Sequence, residues 1–380
     1  MKITLEHLSL KYGANTVVKD LDLQIADGES LVLLGQSGCG KTSTMRCIAG
    51  LEQPSGGRIT IGDTVVHDSE RRVTVAPYKR NVGMVFQSYA VWPHRTVFEN
   101  VGFSLKMKKV PKEEAARRVR KALAIVGLAD FETRGASQLS GGQMQRVALA
   151  RSLVMQPSVL LLDEPLSNLD ARLRERLRIE LREIQLEQNL TTVYVTHDQI
   201  EAFALADRIA LMQHGRIVQI GTPQQIYAAP STKSIADFLG VGNIFPCTVE
   251  TAGGEAVARL TGFPVSMPVA EVPEGSGPFS LCLRAEDLHV TKARPGESAA
   301  PGSWLGHVDV ASFQGATVRY RITLEDGPVL EAIAMPRVGD WLGTGDTALV
   351  QISPNAAQVL RDDTASPVLA APAAKTAVAA

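Results

Sequence analysis

Gly35-Gln36-Ser37-Gly38-Cys39-Gly40-Lys41-Thr42 follows a short apolar run, Ser30 to Leu34, and precedes a helical run, Ser43 to Ala49. Strand, glycine-rich turn and helix, in that order, make a phosphate-binding loop. The apolar run reads as a buried parallel strand. The glycines let the backbone turn tightly and aim its N–H groups inward. Those groups and the N-terminus of the next helix form an anion site. Lys41 is then expected to reach the β- and γ-phosphates of a nucleotide, and the Thr42 hydroxyl to bind magnesium. The alternative is an accidental glycine-rich turn, and an eight-residue match framed by a strand and a helix argues against it.

Further along, Val159-Leu160-Leu161-Leu162-Asp163-Glu164 describes a core strand ending in two carboxylates. Its C-terminal end faces the crevice where α/β folds bind ligands. Asp163 is expected to hold the magnesium, through water. Glu164 is one residue on and points elsewhere, where a base would stand to polarise an attacking water. Between the two stretches lies Leu139-Ser140-Gly141-Gly142-Gln143. Ser140 sits just before a helix and can cap its exposed N–H groups. Gly141 and Gly142 keep that helix start open to close approach by a phosphate.

The chain has 380 residues, enough for two domains and a substantial core. A net charge of −1 gives no mark of a nucleic-acid binder. Cys39, Cys47, Cys247 and Cys282 are scattered, without zinc spacing or a disulfide framework, which fits a reducing compartment. The N-terminus alternates like a first strand and lacks the apolar stretch of a signal peptide. No run approaches the roughly 18 apolar residues of a membrane span, so any membrane role must come through a partner.

Residues to about Gly62 read as strands, with Asp27-Gly28 and Gly56-Gly57 as turns. A helical stretch runs from about Tyr89 to Met155. Within it Pro111 starts a helix whose Ala115, Val119, Ala122, Leu123 and Val126 share a face. Leu169, Leu173, Leu177, Leu181 and Ile184 mark a long amphipathic helix with a salt-bridged outer face. Thr191 to Val195 is another buried strand, delivering His197 at its end. Ile209 to Met212 and Arg216 to Ile220 flank His214-Gly215 as a hairpin. The character changes near Gly240. Phe279–Leu283, His307–Val310, Thr317–Thr323 and Val329–Ile333 read as short strands of a small β-domain, a barrel or sandwich, with Glu325-Asp326-Gly327 as a turn. Residues 363–380 are Ala-rich with two prolines and are expected to be disordered.

Over residues 1–240 this order of elements resembles the ATP-binding cassette (ABC) family, whose signature lies between the phosphate loop and the carboxylates. The resemblance implies an α/β P-loop NTPase core with a helical signature subdomain, about residues 89–155. It implies ATP and Mg2+ as ligands. ATP would contact Gly35 to Thr42 and Ser43, with Tyr12 stacked on adenine. Glu164, His197 and Gln87 would be catalytic, His197 as the switch histidine on the γ-phosphate and Gln87 as the Q-loop glutamine. Thr42, Gln87 and Asp163 would serve the metal. Ser167-Asn168-Leu169-Asp170 is similar to the family's D-loop. In the family, two copies pack head to tail. Ser140, Gly141, Gly142, Gln143 and Asp170 would then act in trans on the partner's ATP.

Residues 241–362 resemble the C-terminal oligonucleotide/oligosaccharide-binding-like (TOBE) domain of importer ATPases. Leu283-Arg284-Ala285-Glu286-Asp287 is similar to its Arg-Pro-Glu-Asp segment, with Ala285 in place of proline. This implies the cytoplasmic motor of a solute importer. It would be a homodimer, peripheral on the inner (plasma) membrane, bound to two integral-membrane permease subunits and served indirectly by a solute-binding protein, with no nucleic-acid partner. Gln87 to His94 leans toward ferric-iron and polyamine systems, with phosphonate or sugar as other solutes. An exporter motor and a non-transport ABC protein are the rivals. The β-domain argues against the exporter and against cofactor-assembly types, the lack of a long coiled-coil insertion against DNA-repair types, and the single cassette against translation factors. One departure is Cys39, where many relatives carry a small hydroxyl or glycine. Inward N–H dipoles and Lys41 beside it are expected to favour a reactive thiolate.

Overall fold

Apolar runs without polar alternation belong inside a parallel sheet covered on both faces. In the computed structural model, which describes residues 1–252, 255–269, 272–273, 278–294, 298–300, 302–335, 341–353 and 356–362, three such runs lie side by side. Ser30–Leu34, Thr191–Thr196 and Val159–Asp163 are buried at every residue. They sit in a six-stranded sheet whose order is Arg216–Gly221, Arg208–Gln213, Ser30–Leu34, Thr191–Thr196, Val159–Asp163, Val82–Val85. Only the expected hairpin at His214-Gly215 is antiparallel; the other neighbours run parallel. The parallel strands therefore end along one edge. Gly35, His197, Asp163 and Gln87 all lie at or just past that edge, the place where open α/β sheets bind ligands.

A second, antiparallel sheet carries Asn15–Ile25, Ile3–Tyr12, Gly56–Ile61, Thr64–Asp68 and Val73–Thr74. Ile3, Leu5 and Ile59 from this sheet join Leu31, Leu33, Val193 and Ile48 in one core. Asp27-Gly28 is a turn, as expected. Gly56-Gly57 is not: it opens a strand paired with Ile3–Tyr12. The glycine there answers a close approach, since a Cβ on Gly57 would stand 2.5 Å from the His7 carbonyl oxygen, and its φ is +91°.

Helices Val97–Met107, Lys112–Ile125 and Gly141–Leu153 pack on one another. The first is held by a capping box between Thr96 and Glu99. The second starts after Pro111 and buries Val119, Ala122 and Leu123. The amphipathic helix spans Ala171–Glu187 and buries Leu177, Leu181 and Gln185. Among the described residues no helix is long and apolar enough to cross a membrane.

The chain divides into two compact units between Ala228 and Ala229. Helix Lys233–Phe238 packs against strand Phe279–Leu283, so the second unit begins before Gly240. Among the described residues, the strands of that unit form two five-stranded antiparallel sheets. One orders Ser266–Val269, Glu255–Leu260, Asn243–Ala252, Phe279–Leu283 and Gln358–Arg361; the other orders Leu288–Lys292, Thr347–Ile352, Ser303–Phe313, Val318–Leu324 and Val329–Ala334. Phe245, Trp304 and Ile352 pack against the cores of both. The expected strand His307–Val310 is the middle of a longer one, Ser303–Phe313, whose register slips between Val308 and Val310 and hides the alternation. Residues 363–380 lie outside those described.

Candidate functional site

The phosphate loop is as tight as its sequence requires. A Cβ on Gly35 would lie 2.3 Å from the Met212 carbonyl oxygen, and Gly40 has a φ of +105°. Helix Lys41–Ala49 starts directly on Gly40 with no side-chain cap, leaving its first N–H groups for an anion. The Lys41 ammonium is buried and donates to the Gly35 and Gln36 carbonyls at 2.8 and 2.9 Å. Phosphate oxygens can replace those acceptors without moving the lysine far. Tyr12 is half exposed, and its phenol donates to Glu52. That carboxylate pushes the phenol pKa up, and Ser43 also bonds the phenol. The ring therefore stands beside the start of this helix.

Thr42 and Asp163 come together although 121 residues separate them: the Thr42 hydroxyl donates to Asp163 Oδ1 at 2.9 Å. Asp163 is buried, which raises its pKa above the usual 3.8, while the Thr42 hydroxyl opposes the shift. A carboxylate held out of water beside a hydroxyl is a hard oxygen pair suited to a cation.

Glu164 has the most constrained backbone of the site. Its φ is +42°, a left-handed value that costs a non-glycine residue on the order of 1–2 kcal/mol. Its N–H donates to Val195 O at 3.0 Å and its carbonyl accepts from the Ser167 hydroxyl at 2.9 Å. The kink turns its carboxylate away from Asp163 and between two partners. Oε2 accepts from Gln87 Nε2 at 3.2 Å, and Oε1 lies 3.1 Å from His197 Nδ1. The three residues named catalytic from the sequence thus form one hydrogen-bonded group.

Two D-loop residues to which sequence pattern assigns no individual role join that group. The Asn168 amide donates to Gln87 O at 2.9 Å, and Gln87 Nε2 also reaches the Ser167 hydroxyl at 3.3 Å. Their position just after the carboxylates was the available signal. Asp170 caps the next helix by accepting from Leu173 N at 3.0 Å.

Ser140 and Gln143 form a reciprocal capping box at the start of helix Gly141–Leu153. Gly142 is buried, and a Cβ there would lie 2.8 Å from Leu173 Cδ2, so a larger residue would have to push that leucine side chain aside. Among the described residues no hydrogen bond links Ser140, Gly141, Gly142 or Gln143 to residues 35–43. One chain does not bring its signature motif onto its own phosphate loop by such bonds.

Cys39 overturns the expected thiolate. Its side chain is buried in the main core, and burial pushes the thiol above its ordinary 9.0 even though Lys41 Nζ lies 3.8 Å from the sulfur. The backbone N–H groups of Cys39 and Lys41 do reach the sulfur and pull the other way, but burial outweighs them, with the sulfur packed 2.8 Å from where a Gly35 Cβ would stand.

Comparison with known proteins identifies the family. The ABC transporter family model matches residues 18–167 and the TOBE domain model residues 281–360. An Fe(3+) ions import ATP-binding protein of Brucella melitensis is 44% identical over 327 residues, 86% of this chain and 88% of that protein. A trehalose/maltose import ATP-binding protein of Thermococcus litoralis is 51% identical over 229 residues, 60% of this chain and 62% of that protein. Among solved structures, a subunit of the cbiONQ ABC transporter complex of Clostridium perfringens has a TM-score of 0.55 at 29% identity, covering 63% of this chain and 94% of that one. An ATP-binding cassette solved as a dimer with ADP and Pi after hydrolysis has a TM-score of 0.50 at 30% identity, covering 58% of this chain and 98% of that one. A phosphate loop, a bracketed glutamate and a C-terminal β-unit, matched along most of the chain by importer ATPases, place this protein in the ABC transporter family as an importer ATPase with a TOBE domain.

Proposed function

We propose that this ATPase drives ferric-iron uptake, as a homodimer bound to two permease subunits on the cytoplasmic face of the inner membrane. A solute-binding protein outside would deliver the iron. Support for the solute is the 327-residue match to an Fe(3+) import ATPase, which runs through both units, where the sugar-importer match spans 229 residues.

The observation that carries the mechanism is the placement of Glu164 between Gln87 and His197. Glu164 accepts a proton from the attacking water. His197 orients the carboxylate through Nδ1, and Gln87 fixes its other oxygen. Lys41 and the helix N-terminus hold the phosphates and offset the charge that develops on them. Thr42 and Asp163, assisted by Gln87, fit a magnesium ion, which when bound neutralises phosphate charge. Ser140, Gly141, Gly142, Gln143 and Asp170 of the second copy complete the site. Closure and reopening of the pair move the permeases.

The test is uptake of radioactive ferric iron by cells lacking the gene. Uptake should fall to background, return with the wild-type gene, and stay low with Lys41→Ala. Normal iron uptake with lost polyamine, phosphonate or sugar uptake would reassign the solute.

A further inference from the structure

We propose that Arg151 is a positioning residue for hydrolysis: it clamps the turn after Gln87 and ties that glutamine to the helix carrying the signature motif. The proposal rests on the role given above to Gln87.

Arg151 lies near the C-terminal end of helix Gly141–Leu153. Its two terminal nitrogens each hold a backbone carbonyl: Nη1 donates to Ala90 O at 2.6 Å and Nη2 to Tyr89 O at 2.8 Å. The guanidinium also stacks over Trp92, 5.2 Å from the ring centroid. Among the described residues no carboxylate pairs with it. A partly buried cation given to two carbonyls loses hydration without an ion pair in return. That arrangement makes sense if those carbonyls need holding.

They do need it. Tyr89 and Ala90 are consecutive non-glycine residues in the left-handed region, with φ of +60° and +49°. Left-handed geometry is costly for such residues, above all twice in a row. The chain is held on either side, by Asn168 on Gln87 O and by Asn100 on the Trp92 N–H and carbonyl. Among the described residues, however, Arg151 is the side chain that bonds the two left-handed residues themselves. Tyr89 is buried but its hydroxyl has no hydrogen-bond partner, and the local backbone bonds are Tyr89 N to Phe86 O and Ala90 N to Ser88 O.

The same helix also grips the chain before Gln87, because the Ser152 hydroxyl donates to Met84 O at 2.9 Å. Gln87 therefore sits between two anchor points supplied by adjacent residues of one helix. At 1.5 Å per residue, Arg151 lies roughly 15 Å from the helix start at Gly141. Displacement of the signature end is passed along a rigid rod to Gln87, and from Gln87 Nε2 to Glu164. Sequence pattern could not reveal this, since Arg151 reads as an ordinary helical cation.

The test measures steady-state hydrolysis by the full-length protein, with the number of nucleotide sites titrated in each variant. Arg151→Met should lower kcat about tenfold and leave KM for ATP unchanged, because Arg151 touches no phosphate-loop residue. Arg151→Lys should recover only part of the loss, since an ammonium lacks the fork that serves two carbonyls. The decisive variant adds Ala90→Gly to Arg151→Met. Glycine adopts the left-handed turn without strain, so kcat should return to within about threefold of Ala90→Gly alone. A packing role for Arg151 would give no such rescue. Unchanged kcat in Arg151→Met, a shift confined to KM, or absence of rescue would each overturn the inference. Gln87→Ala separates the two levels. Activity lost there but kept in Arg151→Met refutes the clamp alone; activity kept in both refutes the role of Gln87 and the clamp with it.

Discussion

Replacing Glu164 with glutamine isolates the chemistry of the site from its architecture. The substitution preserves size and leaves the left-handed backbone at φ +42° no more strained than before. Both contacts can be kept: the amide oxygen accepts from Gln87, as Oε2 does at 3.2 Å, and the amide nitrogen donates to His197 Nδ1, where Oε1 lies at 3.1 Å, once the imidazole carries its hydrogen on Nε2 instead of Nδ1. With that side chain 19% exposed and the pairs kept, folding stability should change by less than about 1 kcal/mol. The thing lost is the ability to take a proton. Loss of a general base lowers a rate about 10²–10⁴-fold, which is roughly 3–5 kcal/mol of transition-state stabilisation. Phosphate release at saturating ATP should fall by that factor, while equilibrium dialysis gives the wild-type nucleotide stoichiometry. Bound, uncleaved ATP should also hold two chains together in sedimentation. A kcat within about threefold of wild type, at full nucleotide occupancy, would refute the role of Glu164 as base.

All four cysteines are buried and Cys39 is held above its ordinary pKa, so the native protein should keep its ATPase activity through alkylation with iodoacetamide. Rapid inactivation that ATP prevents would restore a reactive Cys39 thiolate. His67 is buried with neither ring nitrogen hydrogen-bonded, and burial with the nearby Arg80 charge lowers its pKa below 6.5. The unfolded chain then binds this proton more readily, so its contribution to stability is full above about pH 6.5 and is lost as pH falls toward the lower folded value. His67→Leu should flatten the fall in urea midpoint between about pH 7.5 and pH 5, and an unchanged slope would dismiss the effect. Asn243 is buried in the second unit, donating to Leu283 O and Glu331 O and accepting from Glu331 N at 3.3, 2.8 and 2.7 Å. Asn243→Ala should destabilise that unit by about 2–4 kcal/mol in a denaturant melt without altering nucleotide affinity; a matching loss of affinity would contradict the independence of the first unit's site.

How legible each part was follows from the range of the forces that shape it. Buried parallel strands need continuous apolar residues, so Ser30–Leu34, Val159–Asp163 and Thr191–Thr196 could be read almost residue by residue. Their shared direction then brings Gly35, Asp163 and His197 to one edge, and proximity of the site follows from topology. Local backbone chemistry was ambiguous where two causes call for the same residue. Gly56-Gly57 resembles a turn because glycine serves both a turn and a close approach, and the approaching atom, His7 O, lies in another strand. Cys39 misleads for a similar reason. Its neighbours in sequence are the dipoles and Lys41, but its side chain enters a core built from other strands, and desolvation outweighs the nearby charge. Least legible were the left-handed residues Glu164, Tyr89 and Ala90. None is glycine, so propensity argues against that geometry at each position. The conformation exists because distant groups hold it: Val195 O and Ser167 at Glu164, and the Arg151 guanidinium at Tyr89 and Ala90. Strain of this kind persists only where the surrounding fold over-determines it. Here it sits on the candidate base and on the turn following the glutamine that contacts it, so the same held geometry that escapes sequence reading sets where the proton acceptor points.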